Sequence, residues 1–407
     1  MKTRQANAAN ASSRRSPMFV KKILAPRWLL VGMVGVLAAC STPMPPGPLP
    51  APARSGPGAP AGPAGPSIVR ESARWQPVPW SDLPGWEADA TARAWPALLA
   101  GCGKPAAGWA AACASARALQ APDDARVRAW LQRTLQPYRV TALDGSAEGL
   151  ATGYFEPLVA ASRQRSRTHG VPLYAAPPGL AQRKPWYTRS EIETLPAARA
   201  ALKGREIAWV ADPLDALLLQ VQGSGRLAIT EADGRKQTVR LAYGGHNDQP
   251  YQSVGRWLVE RGAFTLEQAS WPAIKAWARA NPGRVPEMLA ANPRYVFFRE
   301  EPLPDPTIGA VGAQGVPLTP GRSIAVDPRA VPYGTPVWLD TTEPQPWSPT
   351  PPPPRPLQRL VLAQDTGSAI SGAVRADYYW GWAEGAEDRA GRMKQPLRMW
   401  VLWPVTR

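Results

Sequence analysis

Apolar residues recur at helical spacing between Arg126 and Gln136, and the pattern then changes to the short strand-like segments Tyr138-Arg139-Val140 and Thr152-Gly153-Tyr154-Phe155. From about 165 to 300 the character is mixed. A helix capped by Ser190 runs toward Ala201, an apolar run Leu214 to Leu219 follows Asp212, and Leu266 to Arg279 alternates as a further helix. After Gly309 short apolar strands, including 336–339, 360–363 and 399–402, are separated by Gly/Pro turns, which predicts a small β-barrel. Residues 341–356 hold eight prolines and are expected to form an exposed loop between two of those strands. No internal repeat is present.

The N-terminal pattern is different in kind. Seven basic and no acidic residues precede position 40, and the apolar run from Trp28 to Ala39 is too short to span a bilayer as a mature helix. Such a segment, 1–39, reads as a secretory signal, and Leu37-Ala38-Ala39-Cys40 resembles the lipobox of bacterial lipoproteins. That implies lipidation of Cys40, and Ser41 in the next position favours the outer membrane over the inner. Ten prolines between Pro43 and Pro66 make 40–69 an extended tether that holds the folded part away from the membrane. Export also makes a disulfide between Cys102 and Cys113 the simplest account of those two residues.

Charge and composition narrow the chemistry. The chain of 407 residues carries +16, and removing the seven basic leader residues leaves +9, spread along the sequence rather than grouped as in nucleic-acid binders. An anionic surface or polymer suits it; nucleic acid is not an expected partner. Two His and three Cys exclude a three-His or a four-Cys zinc site by counting, so no metal or other cofactor is expected and catalysis must rest on carboxylates.

Three aspartates stand in suggestive contexts. Asp327 precedes Pro328 at a strand-to-turn junction, Asp365 ends an apolar strand before Thr366-Gly367, and Asp377 is surrounded by aromatic residues in Arg375-Ala376-Asp377-Tyr378-Tyr379-Trp380. Aromatic faces stack on sugar rings, and apolar neighbours raise a carboxyl pKa toward values useful to a general acid. The upstream blocks Thr152-Gly153-Tyr154-Phe155-Glu156-Pro157, Gln222-Gly223-Ser224-Gly225, Tyr251-Gln252-Ser253-Val254-Gly255-Arg256 and Asn292 to Phe298 complete the series. Gln222-Gly223-Ser224-Gly225 lacks the early glycine of a nucleophile elbow.

In this order the blocks resemble the membrane-bound lytic murein transglycosylase A family, with a C-terminal three-aspartate domain. The resemblance implies a mainly β fold with α: a double-psi β-barrel built from 70–164 and 301–407, with a mixed α/β second domain, 165–300, inserted and the glycan in the groove between them. It implies non-hydrolytic cleavage of the β-1,4 bond between N-acetylmuramic acid and N-acetylglucosamine, leaving 1,6-anhydromuramic ends. Asp377 takes the place of the catalytic aspartate, and Asp365 and Asp327 are expected to support it. Tyr154, Glu156, Gln222, Ser224, Tyr251, Ser253, Arg256, Thr366, Gly367 and Tyr378 are the expected substrate contacts. The expected partners are peptidoglycan glycan strands, the outer membrane through Cys40, and cell-wall synthesis proteins, with the protein facing the periplasm. Two rivals remain. A non-catalytic, expansin-like glycan-binding module shares the barrel, and an aspartic protease shares the Asp-Thr-Gly strand but needs a second such carboxylate from a dimer.

Overall fold

The computed structural model describes residues 65–405 except 232, 347, 349 and 351. The expected signal segment, Cys40 and the tether up to residue 64 lie outside the described residues.

Fifteen strands form two sheets. In chain order, β1 (Ile68–Val69), β2 (Arg74–Pro77), β3 (Leu135–Thr141) and β4 (Gly149–Tyr154) open the first sheet. The second comprises β5 (Leu158–Ser162), β6 (Val171–Tyr174), β7 (Glu206–Val210), β8 (Gly225–Thr230), β9 (Lys236–His246) and β10 (Val296–Glu301). The first is completed by β11 (Ser323–Ala325), β12 (Pro336–Thr342), β13 (Pro356–Asp365), β14 (Arg375–Tyr379) and β15 (Lys394–Pro404).

The first sheet closes on itself because the long β15 pairs along Lys394–Leu397 with β4 and along Arg398–Val401 with β12. The ring β15-β12-β13-β11-β14-β4 is a six-stranded barrel, and its parallel pairs β11–β13 and β4–β14 give it the double-psi arrangement. Closure removes the sheet edges that would otherwise be free to pair with other chains. Alternation along the strands fills both faces. Val337, Leu339, Val361, Ala363, Ile324, Ala376 and Tyr378 point into the barrel core. Trp338, Leu360, Leu362, Trp400 and Leu402 point outward onto the N-terminal helices Trp95–Gly101, Ala110–Ala118 and Asp124–Thr134. Cys102 and Cys113 are bonded to each other in that outer layer. A buried bidentate pair, Arg322 to Asp89 at 2.7 and 2.9 Å, with Leu360 N–H also donating to Asp89, ties the N-terminal layer to the barrel.

The second sheet, in order β10-β9-β8-β5-β7-β6, carries its own apolar core of Val159, Leu173, Val210, Leu227, Ile229, Leu241 and Phe298. Leu214 and Leu217 of helix Pro213–Gln222 pack onto helices Val254–Glu260 and Trp271–Ala280 in a separate cluster.

Two expected helices differ from the sequence reading. Thr188, not Ser190, caps the first, through a capping box with Glu191, and the helix stops at Thr194 before a second one, Pro196–Leu202. Pro196 has no N–H to continue the ladder and forces Leu195 into an extended conformation. The segment expected as helical from Leu266 begins only at Trp271, where Ser270 accepts from Ala273 N–H and Pro272 suits the first turn. The proline-rich connection runs from the end of β12 at Thr342 to Pro356.

Candidate active site

Register places a row of side chains across the barrel wall. Ala325 on β11 pairs with Asp365 on one side and Asp377 on the other; Asp377 pairs in turn with Thr152 on β4, and Thr152 with Lys394. Directly paired residues share a face. The neighbours Ile324, Ala376 and Ala151 point into the barrel core, so this row lies on the opposite face. Asp365 reaches the row through a bulge. Ile324 pairs with Ala363 and Ala325 with Asp365, so Gln364 is the extra residue. Strict alternation after Val361 and Ala363 would turn Asp365 into the barrel; the bulge re-aims it. Gln364 is fully buried, where it accepts from Ser323 Oγ and donates to Ala97 C=O.

The two carboxyls are held differently. Asp377 Oδ1 accepts from Thr152 Oγ1 at 2.5 Å, and Thr152 Oγ1 accepts from Arg375 Nη2 at 2.8 Å. Arg375 also donates to Leu150 C=O and Ala376 C=O, so its hydrogen-bonded link to Asp377 runs through the Thr152 hydroxyl while its charge acts on the carboxyl through space. Burial pushes the Asp377 carboxyl above the ordinary range, opposed by the Thr152 hydrogen bond and the Arg375 charge. Asp365 accepts from Tyr154 Oη at 2.9 Å and from Ala313 N–H at 3.0 Å. Burial raises it to about 6 despite those bonds, and the nearby Asp377 adds to the rise. Tyr154 stacks against Tyr379 with centroids 5.1 Å apart. Gly153, between Thr152 and Tyr154, is packed under the Trp380 ring and the helix Ala386–Arg392: a Cβ there would stand 2.7 Å from Trp380 Nε1 and 2.9 Å from Ala390 Cα.

From the second sheet's side, the segment after β9 brings Tyr251 close enough to Asp377 for that carboxyl to raise the phenol, although burial is the larger cause. Thr366 lies beside Asp365, its hydroxyl donating to Val326 C=O, and Gly367 follows in an exposed turn. Ser224 is half-buried and follows Gly223, the C-cap of helix Pro213–Gln222.

Several expected site residues have other duties. Asp327 does not join the row. It is 2% exposed; its oxygens accept from the Arg329 side chain and N–H and from Gly372 N–H, and these bonds hold it below the usual carboxylate range against the effect of burial. It pins the turn after β11 to the loop before β14. Glu156 is buried rather than groove-lining: Arg226 at 3.1 Å, Arg240 at 3.3 Å and Tyr379 Oη at 3.3 Å all donate to it. Arg226 and Arg240 come from β8 and β9, so this cluster joins the second sheet to the ends of β4 and β14. Tyr378 sits in the barrel core, its hydroxyl bonded to Gly321 C=O and Arg359, because alternation from Asp377 turns it inward. Gln222 accepts from Phe155 N–H, Gly223 is a left-handed helix cap, and Gly225 packs under Leu219. Ser253 caps helix Val254–Glu260, and the exposed Arg256 lies 3.9 Å from Glu260. Thr152 and Arg375, as holders of Asp377, were not expected. They belong to elements 225 and 223 residues apart in the two hydrogen bonds to Thr152, a pairing no local pattern reveals.

Among the described residues no cluster of His, Cys, Asp and Glu is arranged to hold a metal ion, and no helix is long and apolar enough to cross a membrane.

Comparison with known proteins agrees with this geometry. The family described as the MltA specific insert domain matches residues 150–299, and the 3D domain matches 322–403. Membrane-bound lytic murein transglycosylase A of Vibrio cholerae is 31% identical over 290 residues, covering 70% of this chain and 72% of that protein. The structure of the lytic transglycosylase LtgG of Burkholderia pseudomallei is 46% identical, with a TM-score of 0.56 over 85% of this chain and all of that one. The crystal structure of E. coli MltA with bound chitohexaose is 25% identical, with a TM-score of 0.63 over 84% of this chain and 94% of that one. The chain belongs to the membrane-bound lytic murein transglycosylase A family.

Proposed function

We propose that this chain cleaves the β-1,4 bond between N-acetylmuramic acid and N-acetylglucosamine without water, with Asp377 as acid and then base. The observation that carries the reading is the Asp377 carboxyl itself, half-buried, raised, and held at Oδ1 by Thr152. Thr152 fixes Oδ1, and in this reading Oδ2 carries the proton to the substrate.

The proton on Asp377 passes to the glycosidic oxygen as the C1–O bond breaks. The C6 hydroxyl of the same muramic residue then attacks C1 and its proton returns to the Asp377 carboxylate. No water is consumed and the enzyme ends protonated as it began. An intramolecular nucleophile needs only to be oriented, which gives it a high effective concentration. Asp365, two strands away, is about 10 Å from Asp377 between Cα atoms by strand spacing. Its carboxyl is raised to about 6 by burial, and in its ionised form it stabilises positive charge developing on the sugar or a participating N-acetyl group. Tyr154 and Ala313 N–H hold it for that task. Tyr251 closes the row from the inserted side.

The same reading divides the chain into barrel segments and an inserted domain, expected as 70–164, 301–407 and 165–300, with the first boundary drawn back before Leu158 because β5 pairs with β7 and β8 of the second sheet. It attaches the protein to the outer membrane through a lipidated Cys40, facing the periplasm, with cell-wall synthesis proteins as candidate partners. Cys40→Ala is expected to release the protein from the membrane fraction.

Digestion of purified sacculi followed by mass spectrometry tests the activity. Products lighter by one water than the corresponding reducing muropeptides support it; reducing ends indicate hydrolysis, and binding without cleavage indicates a glycan-binding module.

A further inference from the structure

We propose that the inserted domain carries a second binding site, for the carboxylate-bearing peptide stem attached to the glycan. This rests on peptidoglycan being the substrate.

A cavity of about 450 Å³ lies between the 176–184 segment and the end of β9. It is lined by Leu180, Gln182, Lys184, Tyr243 and His246, with the backbone of Gly244 and Gly245 between the last two. The site is built around a bulge. Tyr243 pairs with Phe298 and Gly245 with Phe297, which leaves Gly244 as the extra residue. A Cβ on Gly244 would stand 2.7 Å from the Phe298 backbone, and Gly245 has φ +128. Bulges of this kind re-aim side chains at the rims of sites. Here Tyr243 remains 46% exposed beside the cavity.

The polar groups are nearly all donors. His246 Nδ1 accepts from Asp248 N–H at 2.9 Å, which leaves the proton on Nε2. Burial, with the Arg294 and Lys184 charges, holds this imidazole below its ordinary value, so it is neutral at pH 7. The Lys184 ammonium lines the cavity and the Arg294 guanidinium lies close to both Tyr243 and His246. Asp248 is the one carboxylate that bears on these groups. A ligand rich in carboxylate and carbonyl oxygens, with small apolar side chains for the Leu180 and Tyr243 surfaces, complements this lining.

The position suits a branch of the same substrate. Tyr251, which approaches Asp377, is five positions after His246, so at most about 17 Å of chain separates the cavity from Tyr251. A four-residue stem extends to about 14 Å. A stem on a glycan at the row thus spans a distance of the same scale as this separation.

The experiment uses the full chain in detergent and the tetrapeptide stem freed from peptidoglycan by amidase. Titration is expected to show saturable binding, weakened about fivefold by Lys184→Ala, the scale of one partly exposed ion pair, and weakened also by Tyr243→Ala. In turnover, KM is expected to be lower for stem-bearing than for amidase-stripped glycan strands, with the difference lost in both variants and kcat on stripped strands unchanged. Absence of saturable binding to the wild type, undiminished binding to Lys184→Ala, or equal KM for both strands overturns the proposal. If neither strand is turned over, the transglycosylase reading fails, and the peptide titration alone then decides this site.

Discussion

Asp365 and Asp377 flank the same residue, Ala325, from opposite sides of β11, and so present two half-buried carboxyls on one face of the barrel. Burial is the main cause of the rise in both, and the Asp377 charge adds a smaller rise to Asp365. The pair is therefore split by its surroundings: Asp377 has one hydroxyl donor, whereas Asp365 has a phenol and a backbone N–H. The donors orient the two carboxyls differently, Asp377 through a side-chain hydroxyl on the neighbouring strand and Asp365 through a phenol and the backbone.

Asp377→Asn is expected to abolish release of anhydro-muropeptides while leaving folding and glycan binding intact, because the amide keeps the shape and cannot transfer the proton. The loss is about 10²–10⁴ in kcat, the scale of general acid–base catalysis. Asp365→Asn is expected to impair turnover less. Rates on sacculi beside thermal melting check both, and a dead Asp365→Asn with a competent Asp377→Asn reverses the assignment.

The same variants are expected to be more stable than the wild type at neutral pH. A buried acid whose folded pKa lies above its unfolded value binds its proton more tightly in the native state, so stability falls as pH rises from the unfolded to the folded pKa. For Asp365 that window runs from the ordinary carboxylate value of 3.8 to about 6, and the full effect is at most about 3 kcal/mol. Asp365→Asn is thus expected to raise Tm at pH 7.5 and to lose this advantage near pH 4. Melting curves at the two pH values decide it.

Both carboxyls could be read from the sequence as acids at strand ends with glycine or aromatic residues beside them. What local pattern did not disclose was direction and long-range pairing. The face of Asp365 depends on one extra residue, Gln364, and a bulge has no period to detect. Tyr378 shows the reverse case: alternation from Asp377 already turns it inward, and its aromatic character had suggested a sugar contact. Glu156 and Thr152 take their roles from partners many tens of residues away, Arg226 and Arg240 for one and Asp377 for the other. The barrel itself was legible because its strands are short continuous apolar runs between Gly/Pro turns, whereas the helix ends at Thr194 and Trp271 were set by Pro196 and by the Ser270 cap.

Glu156→Gln is expected to be strongly destabilising. It leaves Arg226 and Arg240, both nearly inaccessible, without their shared counter-charge. Removing one partner of a buried ion pair costs about 3–5 kcal/mol. Because Arg226 and Arg240 belong to the inserted sheet and Tyr379 to the end of β14, the loss also loosens the strand ends beside the row. Urea denaturation gives the stability change, and an unchanged midpoint rejects this account of the cluster.

Thr152 separates positioning from mere packing. Its hydroxyl accepts from Arg375 and donates to Asp377 Oδ1, so Thr152→Val removes both bonds while keeping the branched shape on β4. A hydrogen bond to a carboxylate favours the charged form. Its loss is expected to raise the Asp377 pKa further and to carry the alkaline limb of the kcat/KM profile to higher pH. The carboxyl also loses its fixed orientation, so kcat at the optimum is expected to fall about tenfold or more, within the range of acid–base contributions. Thr152→Ser restores the hydroxyl and is expected to recover both the limb and most of kcat. A role confined to packing predicts instead a lower Tm with the limb unmoved, and equal rates for the Val and Ser variants would reject the hydroxyl's part in catalysis.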